Sequence, residues 1–105
     1  MGKHNPDDII GIVGLSVSYS TPIYTGSGNA RVGSTTVTLT FQLSDGSTLD
    51  ITEPFNDINV TTSRFFSYTI ALYVVTVRAT VTVVGQNNQM NITGAAAEII
   101  SKTAI

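Results

Sequence analysis

From Phe65 to Val84 the chain reads FFSYTIALYVVTVRATVTVV: twenty residues, one charge, neither Gly nor Pro. Such a run leaves few folds open. As a helix it would be long enough to cross a bilayer. Arg78 would then sit deep in the hydrocarbon, at a cost of about 2.5–3.5 kcal/mol, and the periodicity is not helical. From Phe66 the even positions are apolar or aromatic: Phe66, Tyr68, Ile70, Leu72 and Val74. From Val75 the odd positions take over: Val75, Val77, Ala79, Val81 and Val83. Ser67, Thr69, Thr76, Arg78, Thr80 and Thr82 lie between them. Period two marks a strand with one buried and one wetter face. The phase flips once, as it does when a β-bulge adds one residue to a ladder. The sequence therefore predicts a bulge or sharp bend at Val74–Val75. A short helix running from a Thr62 or Ser63 N-cap toward Tyr73 is the competing assignment, and the density of β-branched residues weighs against it.

Length adds a constraint. Twenty extended residues span about 65 Å, whereas a compact chain of this size is about 30–35 Å across. The segment must bend around a corner, divide at a turn that no turn residue marks, or project toward a neighbour.

Composition agrees with strands. Charged residues are 11% of the chain, against about 25% in an average soluble domain. Val, Ile and Thr supply more than a third of the residues, which favours sheet. With so few charges, the large surface of a small domain must be Thr, Ser, Asn and Gly, or be covered by neighbours. The net charge is −2 and the five basic residues, Lys3, Arg31, Arg64, Arg78 and Lys102, are scattered. Nucleic-acid binding, which needs clustered Lys and Arg, is not indicated. The chain has no cysteine, so disulfide scaffolds, zinc thiolates and thiol catalysis are excluded. Ile9–Leu15 resembles a short signal core, but Asp7 and Asp8 precede it, and no clean cleavage site follows.

The cleanest alternation runs through Thr35, Val37, Leu39, Phe41 and Leu43, with Thr36, Thr38, Thr40 and Gln42 opposite. Ser44-Asp45-Gly46-Ser47 then predicts a two-residue hairpin turn, and Thr48–Glu53 returns with Leu49 and Ile51 inward until Pro54–Asp57 ends the strand. Earlier, Val13, Leu15, Val17 and Tyr19 define a first half-buried strand. Thr21–Gly33, with Pro22 and three glycines, reads as a long loop or loose edge hairpin. Ile58 and Val60 suggest a short strand before the long one. Gly85–Asn88 is a second turn, and Met90–Thr93 starts a return strand. In the tail, three alanines and the i,i+4 spacing of Glu98 and Lys102 predict a short helix or a partner-bound segment over 95–105. The fold expected is one all-β domain over 1–105: an antiparallel sandwich of about seven strands, jelly-roll-like or immunoglobulin-like, behind a flexible segment 1–8.

No residue is assigned to catalysis, a cofactor or a metal. His4 is the single histidine and lies in a polar N-terminal segment, so a hydrolase triad lacks a placed base. Gly2-Lys3-His4 would suit square-planar Cu(II) or Ni(II) only with Met1 removed. Asp7, Asp8, Asp45, Asp50, Glu53, Asp57 and Glu98 are explained as solvated acids rather than as a glycosidase pair. Glu53, Asn56 and Asp57 offer calcium-type oxygens without a loop motif. The glycines of Tyr24–Asn29 lack the Lys-Ser/Thr ending of a phosphate loop. Most aromatic residues fall on alternating core positions; Tyr24 and Phe55 are the exceptions. Asn59-Val60-Thr61 and Asn91-Ile92-Thr93 match the glycosylation sequon, relevant only for a chain secreted by a glycosylating cell.

These features predict a non-enzymatic structural subunit, extracellular or on a virion surface. Its partners would be other copies of itself, assembled into a homo-oligomer, filament or shell through strand and sheet contacts. Ile9–Ser20 is the leading segment to donate a strand to a neighbour, with the tail from Ala95 second. The alternative is a lectin-like or adhesin module that takes glycan at its loops. Its contact residues would be Tyr24, Asn29, Phe55 and Asp57.

Overall fold

The computed structural model describes residues 11–86 and 89–105. The chain is an antiparallel all-β sandwich of seven strands in two sheets. Sheet A holds β1 (Ile12–Tyr19), β2 (Ile23–Thr25), β3 (Val32–Leu43) and β4 (Thr48–Ile58). Sheet B holds β5 (Thr62–Ile70), β6 (Tyr73–Gln86) and β7 (Gln89–Ala104). The expected flexible segment 1–8, with His4, lies outside the described residues. So do Asn87 and Asn88 of the second expected turn, although Gln86 and Gln89 on either side pair in register.

Connectivity is simpler than in a Greek-key sandwich. β1 and β2 lie end to end along the same edge of β3 and β4 pairs with its other edge, while sheet B runs β5-β6-β7. Each sheet is thus a meander, and residues 59–61 carry the chain between them. Alternation dictates what lies inside. Val37, Leu39 and Phe41 of β3 and Val75, Val77, Ala79 and Val81 of β6 are fully buried, each large side chain contributing about 1.5–3 kcal/mol. Phe55, Ile58, Ile70 and Ile92 complete the core, and Phe41 meets Tyr68 edge-on across the sheets. Thr35 is buried with its hydroxyl donating to the Ser20 carbonyl at 2.7 Å, which satisfies the polar group.

The Phe65–Val84 run is two strands. Ile70 pairs with Tyr73 across a two-residue turn, Ala71-Leu72, in which Ala71 has φ +53°. The phase flip is real, but the hairpin causes it, not a bulge at Val74–Val75. Partners across this turn are an even and an odd residue, so the inward set changes parity. Leu72 and Val74, which continue the even series, are 50% and 42% exposed.

Three other expectations are corrected, and one alternative is decided. The tail is strand, not helix: β7 pairs with β6 along its length and turns Ala95, Ala97 and Ile99 toward the core. Of the two readings of Thr21–Gly33, the edge hairpin is the one formed: β2 pairs antiparallel with the start of β3. β4 continues through Pro54–Asp57 to Ile58 with Phe55 buried, and Val60 is exposed in the link rather than in a strand. In β1 an extra residue at Val13 breaks the alternation, so Ile12, Leu15 and Val17 pack inward while Val13 points out. The hairpin at Asp45-Gly46 is present, but as a three-residue loop rather than the two-residue turn expected; Leu43 N–H donates to the Ser47 carbonyl (2.9 Å) and Gly46 has φ +89°.

Strand length sets the shape. The sixteen residues of β7 span about 50 Å, and the molecule measures 64 × 21 × 16 Å. Its radius of gyration is 17.2 Å, against about 13 Å for a compact chain of this length. The result is a thin slab with long edges and two broad faces.

Candidate functional site

The loop residues singled out from the sequence do not converge. Tyr24 is structural. Its hydroxyl accepts the Ile92 N–H at 2.8 Å, and the Arg31 guanidinium stacks 3.8 Å above its ring centre. Arg31 in turn donates to Gln89 (2.8 Å) and Asn91 (3.2 Å). This cluster ties the β2 end of sheet A to β7, and it engages Asn91 of the second sequon. Gly33 serves the same corner: a Cβ there would lie 2.8 Å from the Tyr24 ring and 3.0 Å from Ile92. Asn29 is exposed in a single 3₁₀ turn, Gly28–Ala30. Phe55 is closed inside the core, edge-on to Phe66. Asp57 is exposed at a bulge in β4 with φ +55°, its N–H donating to Ser34 Oγ at 2.9 Å. Tyr24 and Asn29 thus lie on one side of β3, and Phe55 and Asp57 on the other.

The acids are also dispersed. Glu53 accepts the Tyr68 hydroxyl at 2.6 Å, an inter-sheet bond. Burial and this contact push the Tyr68 hydroxyl well above the usual phenol range. Glu98 forms an ion pair with Arg78 on the adjacent strand. Asp45 is held below the usual carboxylate range by hydrogen bonds from Ser47 across its own turn. Among the described residues, no three His, Cys, Asp or Glu side chains come together.

The broad faces carry the functional information that individual motifs do not. The outer face of sheet A carries rows of hydroxyl and amide groups, with exposed Val13 and Ile23 beside them. In register across β1, β3 and β4 it presents Ser18-Thr38-Thr52, Ser16-Thr40-Asp50 and Gln42-Thr48. The outer face of sheet B differs. Its cross-strand rows are Ser63-Thr80-Ala96, Phe65-Arg78-Glu98, Ser67-Thr76-Ser101 and Thr69-Val74-Thr103. Phe65 is 64% exposed. Beside it lies a shallow hollow of about 270 Å³, lined by Arg78, Thr80, Ala96, Ala97 and Glu98. Leu72, Val74, Val84, Ile100 and Ile105 are further exposed apolar side chains on or beside this sheet. Phe65 reads from the sequence as one of the core aromatics but points outward, and the parity change at Ala71-Leu72 concealed Leu72 and Val74.

Among the described residues, no helix is long and apolar enough to cross a membrane. Comparison with protein-family models, with curated proteins and with solved structures gives no match.

Proposed function

We propose that this protein is a non-enzymatic structural subunit that associates with other copies of itself through its sheets. The apolar side chains that the finished domain leaves exposed carry the reading. Both sheets present rows of hydroxyl groups to solvent, and both leave apolar side chains uncovered: Val13 and Ile23 on sheet A, and Phe65, Val74, Val84 and Ile100 on sheet B. Large exposed apolar patches on small soluble proteins mark interaction surfaces. Projected from strand lengths and spacing, the sheet B face is about 600 Å², the lower end of what one partner contributes to a specific interface. A slab 64 Å long is also a shape that tiles.

The expected strand donors are spent within the fold, since β1 pairs with β3 and the tail pairs with β6. Association therefore has to use surfaces that the finished domain leaves open. Negative-stain electron microscopy of the purified protein tests this: filaments, shells or defined oligomers are expected, and a field of isolated slabs at every concentration overturns it.

A further inference from the structure

We propose that the open edge of β5 is the seam of assembly. It pairs antiparallel with β5 of a second copy, about a two-fold axis perpendicular to sheet B, joining two three-stranded sheets into one of six. The proposal rests on the self-association argued above and names the surface that carries it.

The contrast among the sheet edges points there. Unpaired edges invite pairing, and proteins blunt them with bulges, prolines and charges. β1 has its extra residue at Val13, and its edge is interrupted at Pro22 before β2. β4 contains Asp50, Glu53 and Pro54 and bulges opposite Ser34. β7 bulges at Thr93 and Ile100 and presents Glu98 and Lys102. β5 has neither bulge nor proline. Its nine residues pair with β6 without a register shift, and it contains no Gly or Pro. Its one charge, Arg64, turns across the corner to the Pro54 carbonyl (3.1 Å) and the Phe55 ring (4.8 Å). Phe65–Ile70, FFSYTI, is uncharged and rich in aromatic and β-branched residues, the composition of segments that pair with themselves.

Hydrogen-bond parity also fits a two-fold. Residues flanking a two-residue turn exchange hydrogen bonds, so Ile70, Tyr68, Phe66 and Arg64 bond to β6. The main-chain groups of Ser63, Phe65, Ser67 and Thr69 then face the open edge. None of them has a main-chain partner on that side among the described residues. A two-fold centred on Phe66, the midpoint of β5, sets Phe65 opposite Ser67 and Ser63 opposite Thr69, outward groups against outward groups. About eight main-chain hydrogen bonds form. Arg64 falls opposite Tyr68 of the other copy, so like charges do not meet.

Ser67→Pro tests this directly. It deletes an N–H that no described residue accepts, at a place where an edge strand tolerates proline. Sedimentation equilibrium on wild type and variant, with circular dichroism as the check on folding, gives the answer. The expected result is unchanged strand signal and at least a tenfold rise in the self-dissociation constant. Ser67→Lys, which keeps the N–H and sets a charge on the seam, should act in the same direction, and it decides the question if the proline variant loses its strand signal. Assembly that survives in the folded variants overturns the β5 seam and leaves self-association standing. A wild type that never associates overturns both.

Discussion

Ala71→Gly separates the hairpin from the continuous strand by the sign of its effect. Ala71 has φ +53° at the first central position of a two-residue turn, a place where Gly is preferred. A left-handed conformation costs a non-Gly residue about 1–2 kcal/mol. Glycine relieves that cost but gives the unfolded chain more freedom, which takes back about 0.4–1 kcal/mol. Ala71 is exposed, so no packing is lost. The net expectation is a stabilisation of about 0.5–1 kcal/mol. In urea, with a slope of about 1–2 kcal/mol/M for a domain of this size, the midpoint should rise by about 0.25–1 M. Were residues 65–84 one continuous strand, Ala71 would be extended, and glycine would destabilise by about 0.5–1 kcal/mol. A fall in the midpoint at low protein concentration, where association does not contribute, would refute the hairpin. Ala71→Pro, which demands a negative φ, should destabilise.

Gly33→Ala forces a methyl group to within 2.8 Å of the Tyr24 ring. Thermal or urea unfolding should show a loss of about 1–3 kcal/mol. Stability should also fall at alkaline pH, because the folded state holds the Tyr68 proton more tightly than the unfolded chain does. This contribution is intact below the unfolded phenol range near about pH 10 and is lost as pH rises above it. Tyr68→Phe should flatten that part of the alkaline stability curve; an unchanged slope would remove Tyr68 as its source.

β3 was legible because its alternation and its true environment agree: Val37, Leu39 and Phe41 face one core and Thr36, Thr38 and Thr40 face water. The β5–β6 turn was hidden because Ala71 and Leu72 have no turn preference. The excessive extended length and the parity change both pointed to it, but a bend meets the first and a bulge produces the second. The tail misled because its local preference is helical, whereas its alternate residues Ala95, Ala97 and Ile99 fit the open flank of the core. Pairing with β6 outweighs a few tenths of a kcal/mol per residue. There Glu98 reaches Arg78 across the ladder, and Lys102 sits 4.9 Å above the Tyr73 ring. Phe55 looked like a loop aromatic because Pro54 reads as a strand end. On an edge strand proline is tolerated, so β4 runs on and carries Phe55 into the core. Association surfaces were the least legible part, since an open edge is defined by the strands that do not cover it.

Light scattering coupled to size-exclusion chromatography, run over a wide concentration series, tests self-association most directly. The weight-average mass should exceed the 11.1 kDa of one chain and grow with concentration toward a defined multiple or an open-ended series. A constant 11.1 kDa up to the highest concentration reached would contradict it.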